Sequence, residues 1–364
     1  MSKLFNTFYI EIILMSKIIP NSWNGWDPLK TCMLGTSVPD NYFSSIRDVK
    51  LRDSMNRIVN ETNEDLENFK NVLEKQGVEV VRAHNPVFIK DTFHQSIDFL
   101  EDQTNGDKSW KQILNKVGVF KPSLTPRDWM IVMGDKLLHT FNTKHTFLKT
   151  LEVIDFDHAI MSDRHFDAPY LTRFGDAVII DELDQPDITD FMEKTFPDWK
   201  QIHCKEGGHS DGMFSPVKPG HVISIADETI NLYNDTLPNW EIFYTETWKK
   251  PEFKKWEHNK NFGHGKAWWS DDMHENPAMF DLVQTWLDDW VGYFTETVFE
   301  VNMLTINPRL VAGSVRNAEL EKHLEKIDME FLHIPFRHRR FWDGGLHCLT
   351  VDLVRESSKQ NYGL

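Results

Sequence analysis

The chain has 364 residues, 40% of them hydrophobic and 26% charged. That is ample for a packed core and fits neither a disordered nor a fibrous protein. Forty Lys+Arg against 56 Asp+Glu leave a formal charge of −16. This balance argues against a dedicated binder of nucleic acid or anionic membrane, whose phosphates an acidic surface repels.

Near the N-terminus, the apolar run from Leu4 to Leu14 is broken by Glu11, and no small-residue cleavage site follows. No stretch reaches the ~20 apolar residues that span a bilayer. Met1-Ser2-Lys3 recurs as Met15-Ser16-Lys17. Residues 1–15 therefore read as an extension in front of a later start, and 16–364 as a single domain. The three cysteines, Cys32, Cys204 and Cys348, are odd in number and far apart. They read as free thiols in a reducing cytoplasm.

Along the chain, 61–76 is expected to be a helix, with Leu66, Phe69, Val72 and Leu73 on one face and Gly77 as its stop. A strand follows at 78–81. Residues 129–133 and 136–138 flank Gly134-Asp135 as a β-hairpin. A buried strand at 177–180, a helix at 187–196 and a strand at 221–225 come next. A helix at 276–290 carries Met279, Phe280, Val283 and Trp290. Strands at 302–306 and 309–311 flank Asn307-Pro308. A helix at 317–327 and strands at 329–334 and 348–354 close the order. Hairpins, helices and further strands recur without a Gly/Ser linker, which predicts mixed-sheet modules around one centre, not a doubly wound sheet.

Four short motifs can carry chemistry. Gly344-Gly345-Leu346-His347-Cys348 offers glycines for close backbone approach to a ligand, followed by a thiol. His209-Ser210-Asp211 reads as an extended segment with both side chains on one side. Pro126-Arg127-Asp128 places a carboxylate just before an apolar strand, and Phe166-Asp167-Ala168-Pro169 is an Asp-led turn. Each has a bland alternative as a buried thiol, a glycine turn or a cap.

In this order, after Asn24-Gly25-Trp26-Asp27-Pro28-Leu29, the motifs resemble the guanidino-group-modifying enzymes, and most of all the arginine:glycine and inosamine-phosphate amidinotransferases. The likeness runs from about residue 21 to about 356. It includes Trp129 to Gly134, Phe214 to Gly220 and Thr350-Val351-Asp352-Leu353. The resemblance implies an α/β fold, the pentein α/β-propeller of five ββαβ modules around a pseudo-fivefold axis. It also implies transfer of an amidino group from arginine or a related guanidine to a primary amine such as glycine, without cofactor or metal. Cys348 would be the nucleophile, His209 the acid and base, and Asp167 its orienter. Asp128 and Asp211 would hold the guanidinium. The implied partners are a small guanidine donor and an amine acceptor, with a homodimer left open.

Arginine deiminases share the motifs in outline, but the FDA wording and the NGWDPL opening favour a transferase. Counted from His209, Glu228 stands where the glycine amidinotransferases carry a carboxylate-binding arginine, and Thr295 and Glu296 fall where that family has paired serines. An acidic wall at Glu228 favours a cationic end, as in a diamine acceptor or a decarboxylated donor. Alternatively, Arg127 or Arg309 takes over the clamp. The aromatic and lysine-rich stretch 244–270 reads as a surface excursion or a lid, with single-stranded nucleic acid as a lesser alternative. Two rival classes remain: a metal site from His203, Cys204, His209 and Asp211, and a non-catalytic pentein.

Overall fold

The computed structural model describes residues 17–44, 46–83, 122–140, 151–163, 166–181, 188–204, 209–225, 237–245 and 299–364, with isolated positions 279, 282, 283, 287, 290 and 291. Among these residues, fifteen strands form five three-stranded sheets. β3 (Met130–Met133), β4 (Lys136–His139) and β5 (Ala159–Met161) form one sheet. β6 (Leu171–Phe174), β7 (Ala177–Asp181) and β8 (Lys200–Cys204) form the next. β9 (Phe214–Lys218), β10 (His221–Ser224) and β11 (Glu241–Tyr244) make a third, and β12 (Leu304–Asn307), β13 (Leu310–Gly313) and β14 (Glu330–His333) a fourth. The fifth joins distant parts of the chain: β15 (Thr350–Arg355) pairs with β1 (Leu29–Leu34), which pairs with β2 (Glu79–Arg82).

One connectivity repeats throughout. In every sheet the middle strand is antiparallel to one neighbour and parallel to the other. A parallel partner requires a crossover, since a tight turn can only reverse the chain. Helices supply it in three sheets: α1 (Val49–Lys75) between β1 and β2, α2 (Ile188–Thr195) between β7 and β8, and α4 (Ala318–Lys326) between β13 and β14.

The 61–76 expectation was short by about three turns. The helix begins at Asp48, whose side chain accepts from Leu51 N, and the added turns bury Leu51, Met55, Ile58 and Val59. These positions continue the stripe of Leu66, Phe69 and Leu73 at 3.6-residue spacing. Each fully buried side chain of this size stabilises by about 1.5–3 kcal/mol relative to exposure. The expected helix at 276–290 falls mainly outside the described residues. So do 1–15, Glu228, Thr295, Glu296 and 246–270. Among the described residues no helix is long and apolar enough to cross a membrane.

A buried ionic cluster joins distant parts of the chain. Asp352 on β15 accepts from Arg127 Nη2 at 2.7 Å, Arg173 Nη2 at 2.6 Å and Arg355 Nε at 2.7 Å, with Ser22 Oγ at 2.9 Å. The three guanidiniums also donate to backbone carbonyls: Arg127 to Thr350, Arg173 to Ser22 and Val132, and Arg355 to Asp27 and Thr305. Despite burial, which opposes ionisation, Arg173, Arg127 and Arg355 hold Asp352 well below the usual carboxylate range. A cavity beside the cluster is lined from β3, β6, β9 and β12 by Ile131, Thr172, Ser215 and Thr305, with Arg127 and Arg173.

Candidate active site

Three of the four motifs sit just ahead of strands that line this cavity, and the fourth just ahead of β15. Pro126–Asp128 is a single 3-10 turn before β3, and Ala168–Tyr170 one before β6, with Asp167 at its N-cap. His209 caps α3 (Ser210–Met213) ahead of β9, and Cys348 lies in the turn before β15. The extended reading of His209-Ser210-Asp211 needs correction. His209 is extended, but Asp211 lies in the helical turn, so the two side chains reach different neighbours.

Cys348 is 2% exposed. Asn302 Nδ2 donates to its Sγ at 2.9 Å, and Sγ donates to Asp211 Oδ2 at 3.3 Å. Asn302 Oδ1 accepts from the backbone N–H groups of His347 at 3.0 Å and Cys348 at 3.1 Å, and its Nδ2 also reaches Asp211 O. His347 Nδ1 shares Asp211 Oδ2 at 2.8 Å. The second oxygen, Asp211 Oδ1, is buried without a hydrogen-bond partner among the described residues. Such an atom costs roughly 1–3 kcal/mol and marks an acceptor left open.

The second half of the site centres on His209. Its Nε2 lies 3.5 Å from Asp167 Oδ2 and its Nδ1 4.0 Å from Asp128 Oδ1, with Tyr170 edge-on at 5.5 Å. Asp128 is anchored in turn by Thr125 Oγ1 at 2.6 Å. Burial works against protonation of His209, but the Asp167 contact and the charges of Asp128 and Asp211 overcome it and raise its pKa to about 9. At neutral pH the imidazole is charged.

The cysteine goes the other way. Burial, followed by the charges of Asp211 and Asp128, raises the Cys348 thiol well above its ordinary value, against the opposing Asn302 hydrogen bond. The free protein therefore holds a neutral thiol. Asp211 stays ionised, because His347, His209 and Arg127 more than offset its burial.

Of the residues assigned to the transfer chemistry, those that the structure describes, Cys348, His209, Asp167, Asp128 and Asp211, fall into these two adjoining groups. Two participants carried no assigned role in the sequence. His347 was visible inside its motif, whereas Asn302 belongs to none. The only available signal for Asn302 was positional: it stands just before β12, as Asp128 stands before β3. The glycines of the Cys348 motif also need a different explanation. A Cβ at Gly345 would sit 2.6 Å from Asn302 Oδ1, so that glycine admits the amide and not a ligand.

Other expectations move away from the chemistry. The Asn24-Gly25-Trp26-Asp27 opening is a turn in which Asn24 Oδ1 accepts from Trp26 N and Asp27 N, and Trp26 packs against Phe174, Trp240 and Tyr362. Arg127 is committed to Asp352, and Arg309 lines a separate surface groove with Arg316 and Glu325. His203, Cys204, His209 and Asp211 do not converge as a donor set among the described residues. Cys32 is a core thiol, pushed up to about 12 by burial and by Asp352.

No family model matches the chain. A 73-residue stretch is 33% identical to inosamine-phosphate amidinotransferase 1 of Streptomyces glaucescens, covering 20% of this chain and 19% of that protein. The match thus spans about a fifth of the curated relative's length. The solved inosamine-phosphate amidinotransferase of Streptomyces griseus superposes with a TM-score of 0.61 at 18% identity, covering 96% of this chain and all of the other. An amidinotransferase of the saxitoxin biosynthetic pathway from Microseira wollei also gives 0.61, at 15% identity, covering 94% and 99%. A putative peptidyl-arginine deiminase gives 0.52 at 13% identity, covering 93% and 99%. The chain thus shares the fold of the amidinotransferases, and its likeness to them in sequence and in structure bears out the resemblance carried by its motifs.

Proposed function

We propose that the protein is an amidinotransferase working through a covalent amidino-cysteine on Cys348. The observation that carries this reading is the open, buried, ionised Asp211 Oδ1 beside a thiol that is neutral in the free protein. A guanidinium is a flat cation that donates in a fork, and it matches the acceptors that Asp211 and Asp128 present. Its arrival neutralises the charges that hold the thiol up, so binding itself lets Cys348 release its proton to water.

The thiolate then attacks the guanidinium carbon, forming an S–C bond and a tetrahedral adduct. His209, charged at neutral pH, protonates the substituted nitrogen, the C–N bond breaks, and the amine leaves neutral. Now neutral, His209 takes a proton from the incoming amine, which attacks the amidino carbon as the C–S bond breaks and Cys348 is regenerated. Asp167 positions the imidazole and stabilises its charged form.

In the same reading the five sheets are blades of an α/β-propeller about a pseudo-fivefold axis. Supporting it are the single connectivity repeated in every sheet and the cavity lined by four first strands. A reducing, cytoplasmic setting suits a mechanism that depends on a free thiol. Donor and acceptor remain open to choice by Glu228. With Arg127 buried against Asp352, one alternative clamp for a substrate carboxylate is engaged elsewhere, which favours a cationic or uncharged end.

Intact mass spectrometry after mixing with arginine or its decarboxylated analogue tests the proposal, with Cys348→Ala as control. An amidino-sized adduct on Cys348 is expected. An adduct of whole-substrate size would make the protein a deiminase, and no adduct with any guanidine would overturn both. Guanidinylation of glycine from arginine faster than of any diamine would refute the cationic-end reading.

A further inference from the structure

At the far end of β9–β10 from Asp211, three side chains converge that the transfer reaction does not use. His221 opens β10, Glu241 opens β11 directly beside it in parallel register, and His323 comes from α4 of the adjoining sheet's crossover. His221 Nδ1 lies 3.6 Å from Glu241 Oε2. One donor atom from each of the three residues falls within 4.8 Å of the other two.

Two of these residues carry an unmet demand. His221 Nδ1 and His323 Nε2 are buried, and neither has a hydrogen-bond partner among the described residues. Leaving a buried polar atom unpaired costs roughly 1–3 kcal/mol, and here two such nitrogens occur around one carboxylate. The His323 ring is also fixed in plane by stacking on Phe243, with centroids 4.3 Å apart and 20° between planes. Burial holds His323 below its ordinary value, against the pull of Glu241 and with help from His221 and Lys326.

We propose that His221, His323 and Glu241 form a binding site for a divalent transition-metal ion, with zinc as the best match. Two imidazoles and a carboxylate are a three-ligand zinc set, and water would complete the tetrahedron. The two imidazole nitrogens disfavour magnesium and calcium, which prefer all-oxygen sites. Donors around tetrahedral zinc lie about 3.3 Å apart, given metal–ligand bonds near 2.0–2.1 Å. His221 and Glu241 already approach that spacing. Glu241, with an exposed side chain, can swing to complete it.

The bound ion would act as a clip between two sheets. The seam is held by the apolar contacts of Val217, Ile223, Leu320 and Leu324 and by Lys218 Nζ donating to Ile327 O at 2.7 Å. Metal binding to the native state alone stabilises it by mass action.

The test measures zinc content by mass spectrometry after chelator-free purification, then zinc affinity and zinc-dependent melting, independently of any enzymatic assay. The full chain is expected to take up one zinc ion with a rise in Tm, and Cys348→Ala, which removes the thiol of the proposed active site, should do the same. Glu241→Gln alters an exposed carboxylate and leaves the core intact; it should weaken binding at least tenfold and abolish the Tm rise. His323→Ala should do likewise, and cobalt substituted at the site should give the intense visible bands of a four-coordinate ion. Failure to bind zinc at micromolar concentration would overturn the proposal. So would equal affinity in Glu241→Gln, or loss of binding in Cys348→Ala alone.

Discussion

Two buried charge clusters lie at either side of the start of β15, and they are built on opposite terms. Around Asp352, three guanidiniums converge on one carboxylate, and each also donates to at least one main-chain carbonyl. Around Cys348, carboxylates gather near a neutral thiol, and one acceptor, Asp211 Oδ1, is left without a partner. The first cluster is complete in the free protein. The second leaves that acceptor for the cation of the proposed reaction. The difference separates what holds the fold from what the fold holds ready.

The largest effect should come from breaking the complete cluster. Asp352→Asn leaves three buried guanidiniums without their counter-charge, and unfolding in urea should show a loss of about 3–5 kcal/mol. Equal stability to the parent protein would mean that the carbonyls alone satisfy the arginines.

A smaller loss is expected on the open side. Asn302→Ala removes a donor to Sγ, and hydrogen bonds to charged groups contribute about 1.5–3 kcal/mol, so turnover should fall roughly 10- to 100-fold. The drop should lie in kcat, not KM, and the pH profile of iodoacetamide labelling should shift upward because the thiolate loses its donor. A fall in melting temperature with an unchanged labelling profile would assign Asn302 a purely structural role.

The smallest effect concerns proton inventory. His209 is raised to about 9, so its acid form is present at neutral pH and is lost as pH rises through that value. The kcat/KM of the proposed reaction should decline on the same alkaline limb. By linkage, the stability His209 contributes is fully present below its unfolded value near 6.5 and disappears across the same window. Asp167→Asn should move the limb to lower pH; an unmoved limb would detach it from His209.

The parts of this comparison were unequally visible in the sequence. The hairpins at 130–139 and 304–313 and the helix ending at Gln76 follow apolar spacing and turn residues, so local patterns suffice. β9 was overlooked because Pro216 interrupts it, and the pairing accommodates that proline with an irregularity between His221 and Val222. β6 contains Arg173, which in isolation reads as a solvent-facing residue; only Asp352, far along the chain, makes its burial tolerable. The same limit applies within the site. Cys348, His209 and the aspartates announce their chemistry by residue type, whereas the amide of Asn302 acquires a role only through proximity to Cys348. Gly345 was legible as a demand for space, but not as space for Asn302.

The pairing of β15 with β1 also governs when the site can exist. Leu34 is matched to Thr350 and Cys32 to Asp352, so this sheet joins residues separated by most of the chain. Contacts of such sequence separation form slowly, because a very long loop must close before they give any return. On a ribosome, β1 has no antiparallel partner until β15 has been made. Asp128, Asp167 and His209 can take their places beforehand on their own sheets. Of the candidate site residues Cys348 arrives last, so completing the β1–β15 sheet and completing the proposed site are one event in the life of the nascent chain.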